Sequence, residues 1–285
     1  MNRTAILLTV FNRKAKTLSC LKDIHALEGW QSDSFDIFIV DGGSSDGTPI
    51  AIAAEFPDVH LAVCNGLFWA GGMRKAWKMA EETGNDYSHY LLLNDDTHLY
   101  PDMLKKLAIA ESEFPAGVYV GPTMDPVSKE CSYGGRALIH EGHEKSKLCI
   151  PDGTLQRIAL GNANIMMVCK GAYDKIGGFC ESYTHGIADY DYTLTAIGAG
   201  CPVILAADYC GECQDDHGNP WKTQGTSLRK RIDYLYSPKG LAYKEYTLYV
   251  KKFFPKDLLS IKFRLWMKTL FPFIWEAKKR INGQG

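Results

Sequence analysis

Leu91-Leu92-Leu93-Asn94-Asp95-Asp96-Thr97 is an apolar run that ends abruptly in two adjacent carboxylates, and a turn, Tyr100-Pro101-Asp102, follows it. A short apolar run bounded by polar residues reads as a buried strand. In an open α/β sheet, ligands collect at the carboxyl ends of the strands, and Asp95 and Asp96 would stand at that edge. Two carboxylates so close repel each other unless a cation lies between them. A hard divalent ion that keeps some waters and takes substrate phosphates suits such a pair. A strand that stops before a capped helix would also use Asp here, so the rest of the chain has to decide.

Upstream, the same pattern recurs. Thr4 to Val10 is a first strand leading into Phe11-Asn12-Arg13, and Leu18, Leu21, Ile24 and Leu27 then share one helical face up to Gly29. Phe35 to Val40 is a second strand. It ends at Asp41-Gly42-Gly43-Ser44-Ser45-Asp46-Gly47-Thr48, with Ile50 to Phe56 helical. Val59 to Cys64 is a third strand ending at Asn65-Gly66, and a glycine-rich turn, Ala70-Gly71-Gly72, opens a helix from Met73 to Glu82. Strands alternating with helices indicate a layered, mostly parallel sheet. All four strand ends then line one edge. Glycines there let backbone amides approach a ligand, and helices starting at Gly47 or Gly72 would aim their positive ends at an anion. A carboxylate such as Asp41 can accept from a ribose hydroxyl or a base N–H. The arrangement has the shape of a nucleotide site. It lacks the glycine spacing of a dinucleotide fingerprint or a phosphate-loop lysine. An ordinary turn with a helix cap would use the Asp41–Thr48 residues too.

Composition narrows the class. With Lys+Arg 32 against Asp+Glu 33 over 285 residues, there is no basic field for nucleic acid. Nine scattered cysteines form no disulfide framework, and a chain of this length needs none, which points to a reducing cytoplasm. The apolar Ala5–Phe11 run is too short for a signal core or a membrane span.

Taken in order, Thr9-Val10-Phe11-Asn12-Arg13, Val40-Asp41-Gly42-Gly43-Ser44-Ser45-Asp46-Gly47-Thr48, Asn65-Gly66 with Ala70-Gly71-Gly72, and Leu93-Asn94-Asp95-Asp96 resemble the ordered motifs of family-2 glycosyltransferases. The resemblance spans about Thr4 to Leu205 and implies the GT-A fold: an α/β structure with a mostly parallel central sheet flanked by helices, extended here by C-terminal helices. It implies a nucleotide-sugar donor, UDP- or dTDP-linked, held by Thr9, Phe11, Asn12, Asp41, Gly43, Asp46, Asn65, Gly71, Gly72 and Asp95. Asp96 would be the main ligand of Mg²⁺ or Mn²⁺. The family often has Asn just past the third motif's second glycine. Here Met73-Arg74 stands instead, leaving Arg74 to a phosphate or to solvent.

Downstream, Asp102 to Glu113 reads as a helix, Val118 to Gly121 and Asn164 to Cys169 as strands, and Cys131 to Cys149 as a hairpin or loop where acceptor contacts are sought. Tyr183-Thr184-His185-Gly186-Ile187-Ala188-Asp189-Tyr190-Asp191 leads into a helix through Ala199. Carboxylates at i and i+2 do not share a helix face, so Asp189 and Asp191 point in different directions. They also suit an acidic first turn. In the resemblance, Ala188-Asp189-Tyr190-Asp191 matches the acidic motif and puts the catalytic base at Asp189. His217 is the candidate second metal ligand, with His185 competing. Cys210 and Cys213 have no partner pair at zinc-site spacing.

Residues 1–220 are expected to form the catalytic domain, with a nucleotide-binding half to residue 100 and an acceptor half beyond it. Residues 221–285 would be a helical extension. In its last part Lys and Arg far outnumber Asp257 and Glu276 among many aromatic residues. That composition suits an anionic membrane face or packing on the core or a second subunit as a homodimer. The expected protein is an inverting, metal-assisted glycosyltransferase of cell-surface polysaccharide synthesis. It would be cytoplasmic, at the inner face of the membrane, and act on a saccharide or lipid-linked acceptor. A sugar-phosphate nucleotidyltransferase and a non-catalytic saccharide- or nucleotide-binding scaffold are the alternatives.

Overall fold

The computed structural model of the protein describes residues 3–31, 34–215 and 226–273. The chain divides into two compact units, residues 1–138 with 146–215, and residues 139–145 with 216–285.

The first unit opens with β1 (Arg3–Val10), α1 (Lys14–His25), β2 (Phe35–Asp41), α2 (Thr48–Glu55), β3 (His60–Val63), α3 (Trp69–Glu82) and β4 (Tyr87–Asn94). These strands are apolar because they are covered on both faces: Ala5 to Leu8, Ile39, Val40 and Leu91 to Leu93 have no exposed surface. β5 (His98–Leu99), α4 (Met103–Glu113), β6 (Val118–Val120), β7 (Thr123–Met124), β8 (Cys131–Tyr133) and β9 (Gly135–Leu138) follow. The unit closes with β10 (Ser146–Cys149), β11 (Gln156–Arg157), β12 (Leu160–Gly161), β13 (Ile165–Cys169), α5 (Lys170–Ile176), α6 (Ile187–Gly198), β14 (Val203–Leu205) and β15 (Gly211–Glu212).

Among the described residues, eight strands form one sheet in the order β11-β14-β6-β13-β4-β1-β2-β3. β1 to β4 are mutually parallel, β13 runs antiparallel to both β4 and β6, and β14 is parallel to β6. The register aligns Thr9 with Val40 and Asn94, Asp41 with Val63, Leu93 with Ile165, and Val120 with Met166 and Leu205. The carboxyl ends of β1, β2, β3, β4, β6 and β14 and the amino end of β13 therefore meet along one edge. β9 pairs with β10 and β12 in a small sheet, so the Cys131–Cys149 stretch is strand and hairpin.

One local expectation is corrected. The glycines Gly71 and Gly72 are not a turn ahead of a helix; α3 already begins at Trp69. The cause is packing against β1. A Cβ on Gly72 would lie 2.4 Å from Thr9 Cγ2, so glycine here buys close approach of helix to strand. An aromatic cluster then secures α3. Trp77 meets Tyr90 of β4, Tyr173 of α5, Phe179 and Tyr192 of α6 at centroid distances of 5.2–5.8 Å.

The second unit contains α7 (Leu228–Tyr236), α8 (Tyr243–Phe253) and α9 (Leu258–Leu270) around Leu235, Tyr249, Val250, Phe254, Ile261 and Leu265. The 139–145 segment is tied to these helices. Asp257 accepts from the Glu144 N–H at 2.8 Å and pairs with the His143 ring, while Glu144 accepts from Tyr246 and lies 3.6 Å from the Arg264 guanidinium. No helix of the described residues is long and apolar enough to cross a membrane.

Candidate active site

The shared sheet edge assembles the site. Asp41 closes β2 with no exposed surface, and its Oδ1 accepts from the Gly43 and Ser44 N–H groups at 2.8 and 2.6 Å. Its Oδ2 is buried without a hydrogen-bond partner, a state that costs free energy unless a donor arrives. Phe11, 48% exposed, lies beside Gly42: a Cβ there would be 3.4 Å from the Phe11 ring. Gly43 has φ +99° and faces Asn65, whose Oδ1 would be 2.3 Å from an added Cβ.

Asn12 and Asp46 turn inward upon the loops. Asn12 sits at φ 51°, a conformation asparagine tolerates. Its N–H donates to Ser44 Oγ and its Oδ1 accepts from the Ser45 N–H. Asp46 accepts from the Lys14 N–H on one side and the Thr48 N–H and hydroxyl on the other, so it caps α1 and α2 together. Those bonds hold its carboxyl below the usual range.

The carboxylate pair at the end of β4 is bridged by a cation from the N-cap residue of α1. Arg13 Nη1 lies 2.6 Å from Asp96 Oδ2 and 3.3 Å from Asp95 Oδ1. Asp95 also accepts from the Thr17 hydroxyl of α1 at 2.8 Å, so both of its oxygens are engaged. Burial pushes the Asp95 carboxyl up to about 6 against the pull of Thr17 and Arg13. Asp96 presents its carboxylate at the edge, its side chain 10% exposed.

Asp189 arrives from far downstream. It stands in the first turn of α6, 5% exposed. Its Oδ2 accepts from the Ala163 N–H at 3.4 Å and its Oδ1 from the Tyr190 N–H at 2.8 Å. The next residue, Asn164, accepts from the Asn94 N–H at 3.1 Å. Asn94 precedes Asp95, so the two acidic centres are joined through one strand-end crossing. Desolvation raises the Asp189 carboxyl to about 7, more than the hydrogen bonds from Ala163, Tyr190 and Asn162 lower it. Asp191 points elsewhere, to the Tyr183 hydroxyl at 2.9 Å.

Arg74 fastens two loop carbonyls to α3. Its guanidinium donates to the Cys180 and Tyr183 carbonyls, both at 2.9 Å, and the Ala70 N–H donates to the Thr184 carbonyl. α3 is thereby fastened to the loop that carries His185 and leads into Asp189. His217 lies outside the described residues. Burial lifts the Cys210 and Cys213 thiols to about 12.

Among the described residues no three His, Cys, Asp or Glu side chains cluster as a metal centre. The Asp95–Asp96 pair nevertheless fits a hard cation. It offers oxygen donors, already accommodates one positive group between its carboxylates, and leaves further positions to phosphate and water, as Mg²⁺ sites commonly do. A cavity of about 550 Å³ lined by Phe114, Arg157, Ile158 and Pro202 lies at the opposite end of β6 and β14, where Val118 and Val203 begin.

Residues 5–150 match the profile of Glycosyl transferase family 2. The chain belongs to that family. The glycosyltransferase has the GT-A fold, and solved structures share it. A mannosyltransferase from Pyrobaculum calidifontis, in complex with GDP-Man and Mn²⁺, superposes with a TM-score of 0.53 at 15% identity, covering 81% of this chain and 60% of that one. TarS from S. aureus, residues 1–349 with UDP-GlcNAc, gives a TM-score of 0.56 at 15% identity, covering 99% and 83%. At such identity the likeness is one of fold alone. No curated protein sequence matches the chain.

Several residues around the candidate site escape a sequence reading. Arg13 and Thr17 hold Asp95, and Trp69 donates from Nε1 to Asn94 Oδ1 at 2.8 Å. Ala163 and Asn164 join the two acidic centres. The polar stretch Gly161-Asn162-Ala163-Asn164 just before an apolar strand was the available signal for the last two.

Proposed function

We propose that the protein is an inverting glycosyltransferase that moves a sugar from a nucleotide diphospho-sugar, UDP- or dTDP-linked, to a hydroxyl of a saccharide or lipid-linked acceptor. The observation that carries this reading is Asp189: a buried carboxylate raised to about 7 and tied through Ala163 and Asn164 to the strand end that bears Asp95 and Asp96. A base poised near neutrality suits removal of a hydroxyl proton.

The nucleoside lies along Thr9, Phe11 and Asp41, where the unpartnered Asp41 Oδ2 awaits a donor from the base or ribose. Gly43, Asn65 and Gly71 are assigned to the path of the diphosphate and sugar, with Gly72 behind them packed on Thr9. Asp189 takes the proton from the acceptor hydroxyl as its oxygen forms a bond to the anomeric carbon. The bond from that carbon to the diphosphate oxygen breaks on the opposite face, the nucleoside diphosphate departs, and the configuration inverts. Asp96, with Asp95 beside it, would hold Mg²⁺ or Mn²⁺; His217 is the further candidate ligand. Such an ion, when bound, neutralises the charge that develops on the leaving diphosphate. The Mn²⁺ named with the Pyrobaculum enzyme and the nucleotide sugars named with both neighbours support this choice.

The family membership and the basic, aromatic C-terminal stretch support a role in cell-surface polysaccharide synthesis at the inner face of the membrane. Radiolabel transfer and donor hydrolysis with a panel of nucleotide sugars, with and without Mn²⁺, test the proposal. Turnover of one donor that collapses in Asp189→Asn is the expected result. Absence of any hydrolysis or transfer, or full activity in Asp189→Asn, overturns it.

A further inference from the structure

Helix α9 is apolar on two opposite faces. Ile261, Leu265 and Thr269 are buried within the second unit. On the other side Leu259 is 81% exposed, Phe263 68% and Leu270 40%. At about 100° per residue these three fall within roughly 40° of one another, and the buried three point the opposite way. Phe271 and Phe273, also exposed, extend the apolar surface just beyond the helix. A monomeric protein gains nothing from holding a Leu–Phe–Leu stripe in water.

The charge carried by this stretch is mostly of one sign. From residue 251 to 270 the chain carries Lys251, Lys252, Lys256, Lys262, Arg264 and Lys268 against Asp257 alone. That one carboxylate is engaged by the His143 ring and the Glu144 N–H. Lys256 precedes the stripe by one turn and Lys262 flanks it. An apolar stripe edged by lysines matches a bilayer surface bearing anionic headgroups. It matches a second copy of the same chain poorly. Two such faces would bring like charges together, which costs free energy at an interface.

We propose that the outer face of α9 is a docking surface for an anionic lipid bilayer, with Leu259, Phe263 and Leu270 entering the acyl boundary and Lys256 and Lys262 meeting headgroup phosphates. The inference deepens the proposed function, on which it rests only for its purpose of bringing the enzyme to a lipid-linked acceptor. Flotation of the full chain with vesicles of phosphatidylcholine, alone or with phosphatidylglycerol, tests it. Wild type floats with the anionic vesicles at least ten-fold more than with the neutral ones. Leu259→Asp combined with Phe263→Asp abolishes flotation while circular dichroism and donor hydrolysis stay as in wild type. Lys256→Glu combined with Lys262→Glu weakens it several-fold, and added salt no longer matters as much. Flotation without donor hydrolysis would support the docking surface and count against sugar transfer. The docking surface is overturned if wild type ignores charged vesicles or if the aspartate variant floats equally well. It is also overturned if sedimentation shows a wild-type dimer that the same substitutions dissociate.

Discussion

The Arg13 guanidinium lies 2.6 Å from Asp96 Oδ2 and 3.3 Å from Asp95 Oδ1, so one side chain at the start of α1 neutralises both acids at the end of β4. Removing that charge leaves Asp95 buried beside a like-charged neighbour. Arg13 is itself 44% exposed, which moderates the loss. Arg13→Gln should destabilise by about 1–2 kcal/mol in urea unfolding. Mn²⁺ should then raise the melting temperature of the variant more than that of wild type, because the ion replaces the missing cation. Equal Mn²⁺ shifts in both proteins would mean that the pair does not take the metal.

Asp189 sets a pH dependence whose sign can be worked out. Its carboxyl is raised from 3.8 to about 7 in the folded protein. Between those values the folded state holds a proton the unfolded state lacks, so stability falls as pH rises through about 7 and then levels off. Activity runs the other way, rising through the same pH as the base ionises. Asp189→Asn should lower kcat by about 10²–10⁴ and melt above wild type at pH 8, with an advantage that shrinks toward pH 5. A rate profile without an inflection between pH 6 and 8 would remove Asp189 from the base role.

Asp41 divides its two oxygens between loop and ligand. Oδ1 orders the Gly43–Ser44 turn and Oδ2 is unpartnered. Asp41→Asn keeps an acceptor for the turn but presents an amide donor to the ligand. Calorimetry with UDP and dTDP should show at least a ten-fold loss of affinity and little change in melting temperature. Unchanged affinity would place the nucleoside elsewhere.

Gly72 and Thr9 should behave as one unit. A methyl at Gly72 would meet Thr9 Cγ2 at 2.4 Å, and overpacking of this kind costs about 1–3 kcal/mol. Thr9→Ala in the same chain makes room, so the double variant should recover part of that loss. A strictly additive cycle, measured by denaturant unfolding, would show that the contact does not matter.

How much was readable in advance follows from the range of each signal. The strands ending at Val10, Asp41, Val63 and Asn94 were legible because an apolar run and its polar stop are local features. Parallel pairing followed from the alternation with helices. Arg13 was quoted in a motif without a role, because its partners lie 82 and 83 residues away. The carbonyl partners of Arg74 are illegible for the same reason: they are on a loop more than a hundred residues downstream. The glycines before Met73 read as a turn in sequence because a helix that needs room for Thr9 and a turn that needs freedom write the same letters.

The amino-acid order alone determined that this is an alternating α/β chain with acids and glycines at its strand ends, since hydrophobic period and turn chemistry act over a few residues. Only the tertiary structure decided that Asp189 meets, through Ala163 and Asn164, the strand end that precedes Asp95. That meeting depends on β13 inserting antiparallel between β4 and β6, which brings Ala163 and Asn164 against both acidic centres. Strand order is chosen by the packing of the whole sheet, and no short stretch of sequence carries that choice.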